Sequence, residues 1–105
     1  MNELSWTVER EARRVVVVPV GAVTITTSGE FEGVLLAAAA EADVVLDLAG
    51  VTFVDSSGLS AFVAAYKAGV AHGHTVVLDP VPPFLARVLK VTGLGTLLLS
   101  PQKVI

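Results

Sequence analysis

Five consecutive residues, Asp55-Ser56-Ser57-Gly58-Leu59, carry the side chains best suited to act on another molecule. A serine hydroxyl can attack as a nucleophile, accept a phosphoryl group or cap a helix. A neighbouring aspartate can orient that hydroxyl or take backbone N–H groups itself. Nucleophilic attack needs a base within hydrogen-bond reach of the serine. The two histidines, His72 and His74, flank Gly73 at the far end of the helix that this motif opens, roughly 20 Å away by helical rise. A hydrolase is not indicated, and no enzyme activity is expected. Nothing in the sequence places carboxylates beside these histidines, so they read as solvent-exposed turn residues and no metal site is expected. Asp47, at the end of an apolar run, has the position of a phosphoacceptor aspartate. That chemistry needs paired acids after an earlier strand to hold magnesium, and residues 15–27 contain no acid. No glycine-rich loop follows a strand in the pattern that cradles nucleotide phosphates, so no cofactor is expected.

Two readings of the motif remain. Ser56 falls at or just before a helix N-terminus, where free N–H groups and the helix dipole favour an anion. A phosphate there adds up to about two negative charges. The domain itself tolerates them, whereas a partner packed over the same spot does not. Asp55 either adds like-charge repulsion or orients the hydroxyl before transfer, and Gly58 keeps the approach open. The plainer reading is that Asp, Ser and Gly at a helix start are caps; taken alone, the five residues favour it.

The elements that position the motif follow from hydrophobic spacing. Leu4, Trp6 and Val8 alternate with polar residues and predict a half-buried strand, with Trp6 a core or sheet-covering residue. Residues 10–14 are a polar turn into a β-branched run over residues 14–20, which completes a hairpin. Thr27 followed three residues later by Glu30 has the form of a capping box, after which Phe31, Val34, Leu35, Ala38 and Ala42 share a helical face. Residues 44–48 read as a third strand, and residues 51–54 continue towards the motif. Leu59, Phe62, Val63, Tyr66 and Val70 then follow helical spacing, with Gly73 at the C-terminal cap. Residues 75–78 form a strand, Pro80, Pro82 and Pro83 a turn, and Phe84, Leu85, Val88 and Leu89 the apolar face of a helix ending at Gly93. Residues 96–99 read as a last strand. Strands alternating with helices after a hairpin predict an α/β fold with a mixed, mainly parallel sheet and helices packed on it.

Composition bounds the function. At 105 residues, the chain, residues 1–105, is one domain with enough length to bury a core unaided. It has no cysteine, which removes disulfides and thiolate chemistry and fits a reducing compartment. Seven basic and ten acidic residues give a net charge of −3. The basic cluster of Arg10, Arg13 and Arg14 is interleaved with Glu9 and Glu11, so no nucleic-acid footprint is expected. The longest uncharged stretch, residues 15–29, contains Pro19, Gly21 and four hydroxyl residues; a spanning helix needs about 20 largely apolar residues. Met1-Asn2-Glu3 opens without a basic and apolar leader, so a cytoplasmic protein without membrane insertion is expected. The hydrophobic fraction of 53% must go into a core or a protein-facing surface, which leaves room for a homodimer.

The strand Val44-Val45-Leu46-Asp47-Leu48 followed by Val51-Thr52-Phe53-Val54-Asp55-Ser56-Ser57-Gly58-Leu59 resembles the core of STAS domains, the family of the bacterial anti-sigma factor antagonists. The resemblance runs upstream through Thr27-Ser28-Gly29-Glu30-Phe31. Downstream it continues through Lys67, Gly73, Pro82 and Val91-Thr92-Gly93-Leu94, so it covers nearly the whole chain. It implies a non-enzymatic regulator of transcription. Such a protein binds an anti-sigma factor that is also a serine kinase and lets go once the serine after the aspartate, here Ser56, is phosphorylated. The implied partner surface comprises Asp55, Ser56, Ser57, Gly58 and Leu59 with Gly21 and Thr24. The alternative within the family is an interaction subunit of a lipid-transport or stress-signalling assembly that does not switch by phosphate. Two departures stand out. The antagonists' usual Gly-Glu-Leu/Ile-Asp corresponds to Gly21-Ala22-Val23-Thr24, so both acids are replaced and the surface becomes more apolar through Ala22, Val23 and Ile25. Thr24 and Thr26 either hydrogen-bond at that surface or are ordinary strand-end threonines. Many members also have a further C-terminal helix, whereas only residues 101–105 follow Ser100.

Overall fold

The computed structural model describes residues 3–99. Strand β1 (Leu4–Arg10) pairs antiparallel with β2 (Arg14–Val23), in register from Leu4 opposite Gly21 to Arg10 opposite Val15. Glu11 N–H donates to the Arg14 carbonyl at 2.8 Å and closes the turn between them. The ten residues of β2 are long enough to serve two strands on their other edge. The first half pairs in parallel with β3 (Asp43–Leu46) and the second with β4 (Gly50–Val54). The register shifts between Gly21 and Ala22, an irregularity that bends a strand. Strand β5 (Val76–Leu78) pairs in parallel with β3. Helices α1 (Ser28–Glu41), α2 (Ser56–Ala71), α3 (Pro83–Thr92) and α4 (Gly95–Leu98) complete the chain. The expected α/β architecture, an opening hairpin and a mixed sheet with helices packed on it, is present.

Alternation along the strands sorts the side chains onto two faces. Val15, Val17, Val44, Leu46, Val76 and Leu78 point inward and are almost fully buried. They join Phe31 and Leu35 of α1, Phe62 of α2, Leu85 and Leu89 of α3, and Leu98 of α4 in one core. Trp6 packs at a tilt against Phe31, ring centroids 5.2 Å apart, as a partly buried residue covering the core. Helix ends follow their punctuation: Gly73 (φ +76°) lies just past α2, and Gly93 (φ +79°) caps α3, which begins at Pro83.

Several expectations are corrected. Residues 96–99 are not a strand. Residues 95–98 form the helical turn α4, which buries Leu98 in the core, and β5 has no strand from this segment beside it. The Thr27/Glu30 capping box does not form, because the Thr27 hydroxyl has nearer partners: it donates to the Ala22 carbonyl at 2.8 Å and accepts from Thr24 N–H at 2.9 Å. On α2 the buried stripe is Gly58, Ala61, Phe62, Ala65 and Gly69, which leaves Val70 60% exposed. Small residues replace Val70 on that face because α2 runs close to its neighbours. A side chain on Gly69 would come within 2.9 Å of Val76 Cγ2. β3 stops at Leu46, and the buried Leu48 belongs to the connection to β4. His72 is exposed, but His74 is only half exposed, with its Nδ1 2.7 Å from the Ala39 carbonyl. The chain end at residues 101–105 lies outside the described residues.

Candidate functional site

Because β2 and β4 run parallel and end together at Val23 and Val54, the loops that leave them emerge side by side. Ligands of open α/β sheets gather at such carboxyl ends. The first loop, residues 24–27, is a tight turn into α1. The Thr24 carbonyl accepts from Thr27 N–H at 3.0 Å and Ser28 N–H at 2.7 Å. The Thr24 and Thr26 hydroxyls lie 3.0 Å apart, so both threonines are tied up within the turn. The second is the junction at Asp55, whose N–H donates to the Val23 carbonyl at 3.2 Å.

The Asp55 carboxylate joins the two loops. As the N-cap of α2, Oδ1 accepts from Ser57 N–H at 2.9 Å and Gly58 N–H at 3.1 Å. Oδ2 accepts from Ile25 N–H at 3.0 Å, thirty residues away in sequence. Partial desolvation pushes this carboxyl up, but the N–H groups of Gly58, Ile25 and Ser57 together hold it below its ordinary value. Asp55 is therefore a clamp with both oxygens occupied, rather than a group aimed at the Ser56 hydroxyl.

The five-residue motif divides in two. Ser56, the first residue of α2, is exposed. Ser57 is half-buried, and Leu59 packs partly against the core. Gly58 is buried, and a Cβ there would meet the Val23 carbonyl oxygen at 2.5 Å and Val54 Cγ1 at 2.7 Å. The expectation that Gly58 keeps an approach open is replaced: it lets α2 start in contact with the ends of β2 and β4. Gly21 also owes its type to packing. Its φ of +119° disfavours other residues, and a Cβ would collide with the Glu3 carbonyl.

The apolar surface beside the loops differs from the expected one. Ala22 and Val23 are buried and fill the interior. Ile25 is 76% exposed, and its backbone N–H is bonded to Asp55. Phe53, 54% exposed, stands on the strand opposite Ala22 and was not anticipated as a surface residue. The signal that could have found it is its strand parity: Val51 and Phe53 lie either side of the bulge at Gly21, so the simple alternation breaks. At the opposite end of the sheet an open cleft is lined by Arg10, Arg14, Glu11, Glu41 and neighbours. Arg10 pairs with Glu41 at 2.6 Å and Arg14 with Glu11 at 2.7 Å, so the cleft offers no concentrated charge of either sign. Among the described residues no three histidine or acidic side chains come together as a metal-binding group, and no helix is long and apolar enough to cross a membrane.

The clamped pair of loops, with an exposed serine at a helix start, thus sits at one end of an α/β domain built from an opening hairpin and a mixed sheet. A family model described as "Mlab, STAS domain" matches residues 6–100, and the chain belongs to the STAS domain family. It is similar to the structure of an anti-sigma factor antagonist from Mycobacterium paratuberculosis, with 28% identity, a TM-score of 0.78, and coverage of 96% of this chain and 88% of that one. An anti-sigma-factor antagonist (STAS) domain protein from Planctomyces limnophilus matches with 27% identity and a TM-score of 0.77 over 92% and 91% of the two chains. The unphosphorylated anti-sigma factor antagonist SpoIIAA shares the fold at 14% identity, with a TM-score of 0.73 over 94% and 90%. No curated protein matches the sequence.

Proposed function

We propose that this chain is a non-enzymatic, cytoplasmic partner-switching regulator of transcription. It binds a serine-kinase-like anti-sigma factor through Ser56, its flanking residues and the Ile25 loop, and phosphorylation of Ser56 releases it. The observation that carries this reading is the division of labour at the start of α2. Asp55 takes the Ser57 and Gly58 N–H groups and ties the backbone N–H of exposed Ile25 to the start of α2, which leaves the Ser56 hydroxyl exposed. A hydrophobic partner seated on Ile25 would cover Ser56. A phosphate there, next to the ionised Asp55, would bring bulk, charge and repulsion into that contact. Similarity to the antagonists from M. paratuberculosis and P. limnophilus supports the same partner class.

The second reading, an interaction subunit that does not switch by phosphate, as in lipid transport or stress signalling, is favoured by two observations. The matching family model bears the name Mlab. Ala22 and Thr24 stand where antagonists usually carry acids, with Ala22 buried and the Thr24 hydroxyl bonded to Thr26. Incubation with the serine-kinase-like anti-sigma factors of the source genome and ATP, read by intact mass, separates the two. Switching predicts one added phosphate that disappears in the Ser56→Ala variant. An unchanged mass with every kinase would support the second reading instead.

A further inference from the structure

Charge is segregated within the helical layer. Helix α1 carries Glu30, Glu32 and Glu41 and no basic residue. Helices α2, α3 and α4 carry Lys67, Arg87 and Lys90 and no acidic one. These cations are exposed, and none has a side-chain hydrogen bond or ion pair among the described residues. The two lysines stand at apolar grooves. Lys67 lies at a groove along α2 that is also lined by Leu59, Val63, Ala64 and Leu94. Lys90 borders a second groove, between α3 and α4, with Ala86, Gly95 and Leu99 in its lining. The grooves adjoin at the link between α3 and α4, because Leu94 lines the first while Gly93 and Gly95 line the second.

We infer that this side of the helical layer receives an acidic, amphipathic helix of a protein partner, its apolar side chains in the grooves and its carboxylates on Lys67 and Lys90. Two observations identify the occupant. The first is charge: unpaired cations at apolar grooves, on helices without an acid, attract carboxylates and repel a basic segment. The second is continuity with the start of α2. Ser56, Ser60, Val63 and Lys67 follow one another at helical spacing, and Ser60, Val63 and Lys67 line the groove, so it begins one turn beyond Ser56. A partner seated over Ser56 and continuing to Lys67 follows α2 for about 16 Å. The inference rests on the reading that the start of α2 meets a protein, but not on phosphorylation of Ser56. Grooves alongside helices suit the inserted side chains of a partner helix better than a flat anionic membrane. A second copy would have to offer α1, the acidic helix, and such a head-to-tail contact between unlike surfaces is not self-complementary.

Amide chemical-shift mapping of the full chain by NMR tests this with two synthetic peptides of about 15 residues, long enough for an amphipathic helix. Both carry leucines at i, i+3, i+4 and i+7; one has glutamates at the flanking positions and the other lysines. At low salt the glutamate peptide should shift the amides of residues 59–67 and 93–99, and the lysine peptide should leave them in place. The double variant Lys67→Glu, Lys90→Glu should bind the glutamate peptide at least tenfold more weakly and gain affinity for the lysine peptide, which separates reversal of charge from loss of fold. No shift with the glutamate peptide would overturn the inference, as would shifts confined to other residues or an equal response to both peptides. Co-sedimentation of the chain with phosphatidylglycerol vesicles, in place of peptide binding, would overturn it too and assign the cations to a membrane surface. No kinase enters this experiment, so a failed groove and a failed Ser56 switch are told apart.

Discussion

Asp55 shows how a short motif can be read correctly for its place and incompletely for its reason. Spacing placed it at the start of α2, and the structure makes it the N-cap there. Its second contact, to Ile25 N–H, joins segments thirty residues apart and depends on β2 and β4 ending side by side, which no local pattern encodes. The native carboxyl lies below its ordinary value, so the folded state binds this proton less readily than the unfolded chain does. The interaction therefore stabilises the fold above the unfolded value of about 3.9 and is lost as pH falls through the lower native one. Replacing Asp55 with Ala should lower Tm at neutral pH and leave it nearly unchanged in strong acid; a uniform drop at every pH would mean the carboxylate charge is irrelevant. Gly58 makes the complementary point. Its side-chain-free surface faces inward, so Gly58→Ala should destabilise by about 1–3 kcal/mol through forced overpacking against Val23 and Val54. Urea unfolding checks this, and an unchanged midpoint would contradict the close approach.

The elements were legible where period and punctuation agreed. Alternation in β1, the glycines after α2 and α3, and Pro83 at the start of α3 all sit where their chemistry puts them. The misses share one cause: a short or uniformly apolar segment whose tertiary partner decides its state. Residues 96–99 are an apolar run too short for period to separate strand from helix, and burial of Leu98 is met by a helical turn. In α2 nearly every position is apolar or small, so spacing did not reveal which face turns inward. The packing does, through the small residues that allow close contact. This predicts a contrast within one helix. Phe62→Ala, at a fully buried site, should cost about 3–5 kcal/mol. Val70→Ala, on the exposed side, should stay within about 0.5 kcal/mol of wild type. Comparable losses in denaturant unfolding would show that the buried face of α2 has been misassigned.

At the scale of the whole molecule, the hydrophobic excess of the sequence divides between a core and scattered exposed positions. Most of it forms the single core between sheet and helices. The rest is scattered over the surface: Val20 and Phe53 on the sheet, Ile25 beside the clamped loops, and Val70 and Val91 on the helices. Composition announced the excess but not its location, because strand parity around the bulge at Gly21 is a property of pairing. The end of the molecule that we propose faces a partner was legible from Asp55 to Leu59 as a sequence segment. Which of those side chains face outward was not: Ser56 does, while Gly58 and much of Leu59 serve the interior.

The central claim is that an exposed Ser56 governs association. Its most direct test is calorimetric titration of the cognate anti-sigma factor with the unmodified chain and with the chain phosphorylated at Ser56, both checked for intact fold by circular dichroism. The account predicts tight binding by the unmodified chain and a loss of at least about tenfold, or 1.4 kcal/mol, on phosphorylation. Equal affinity of the two forms would contradict it and leave Ser56 as the first residue of a well-capped helix.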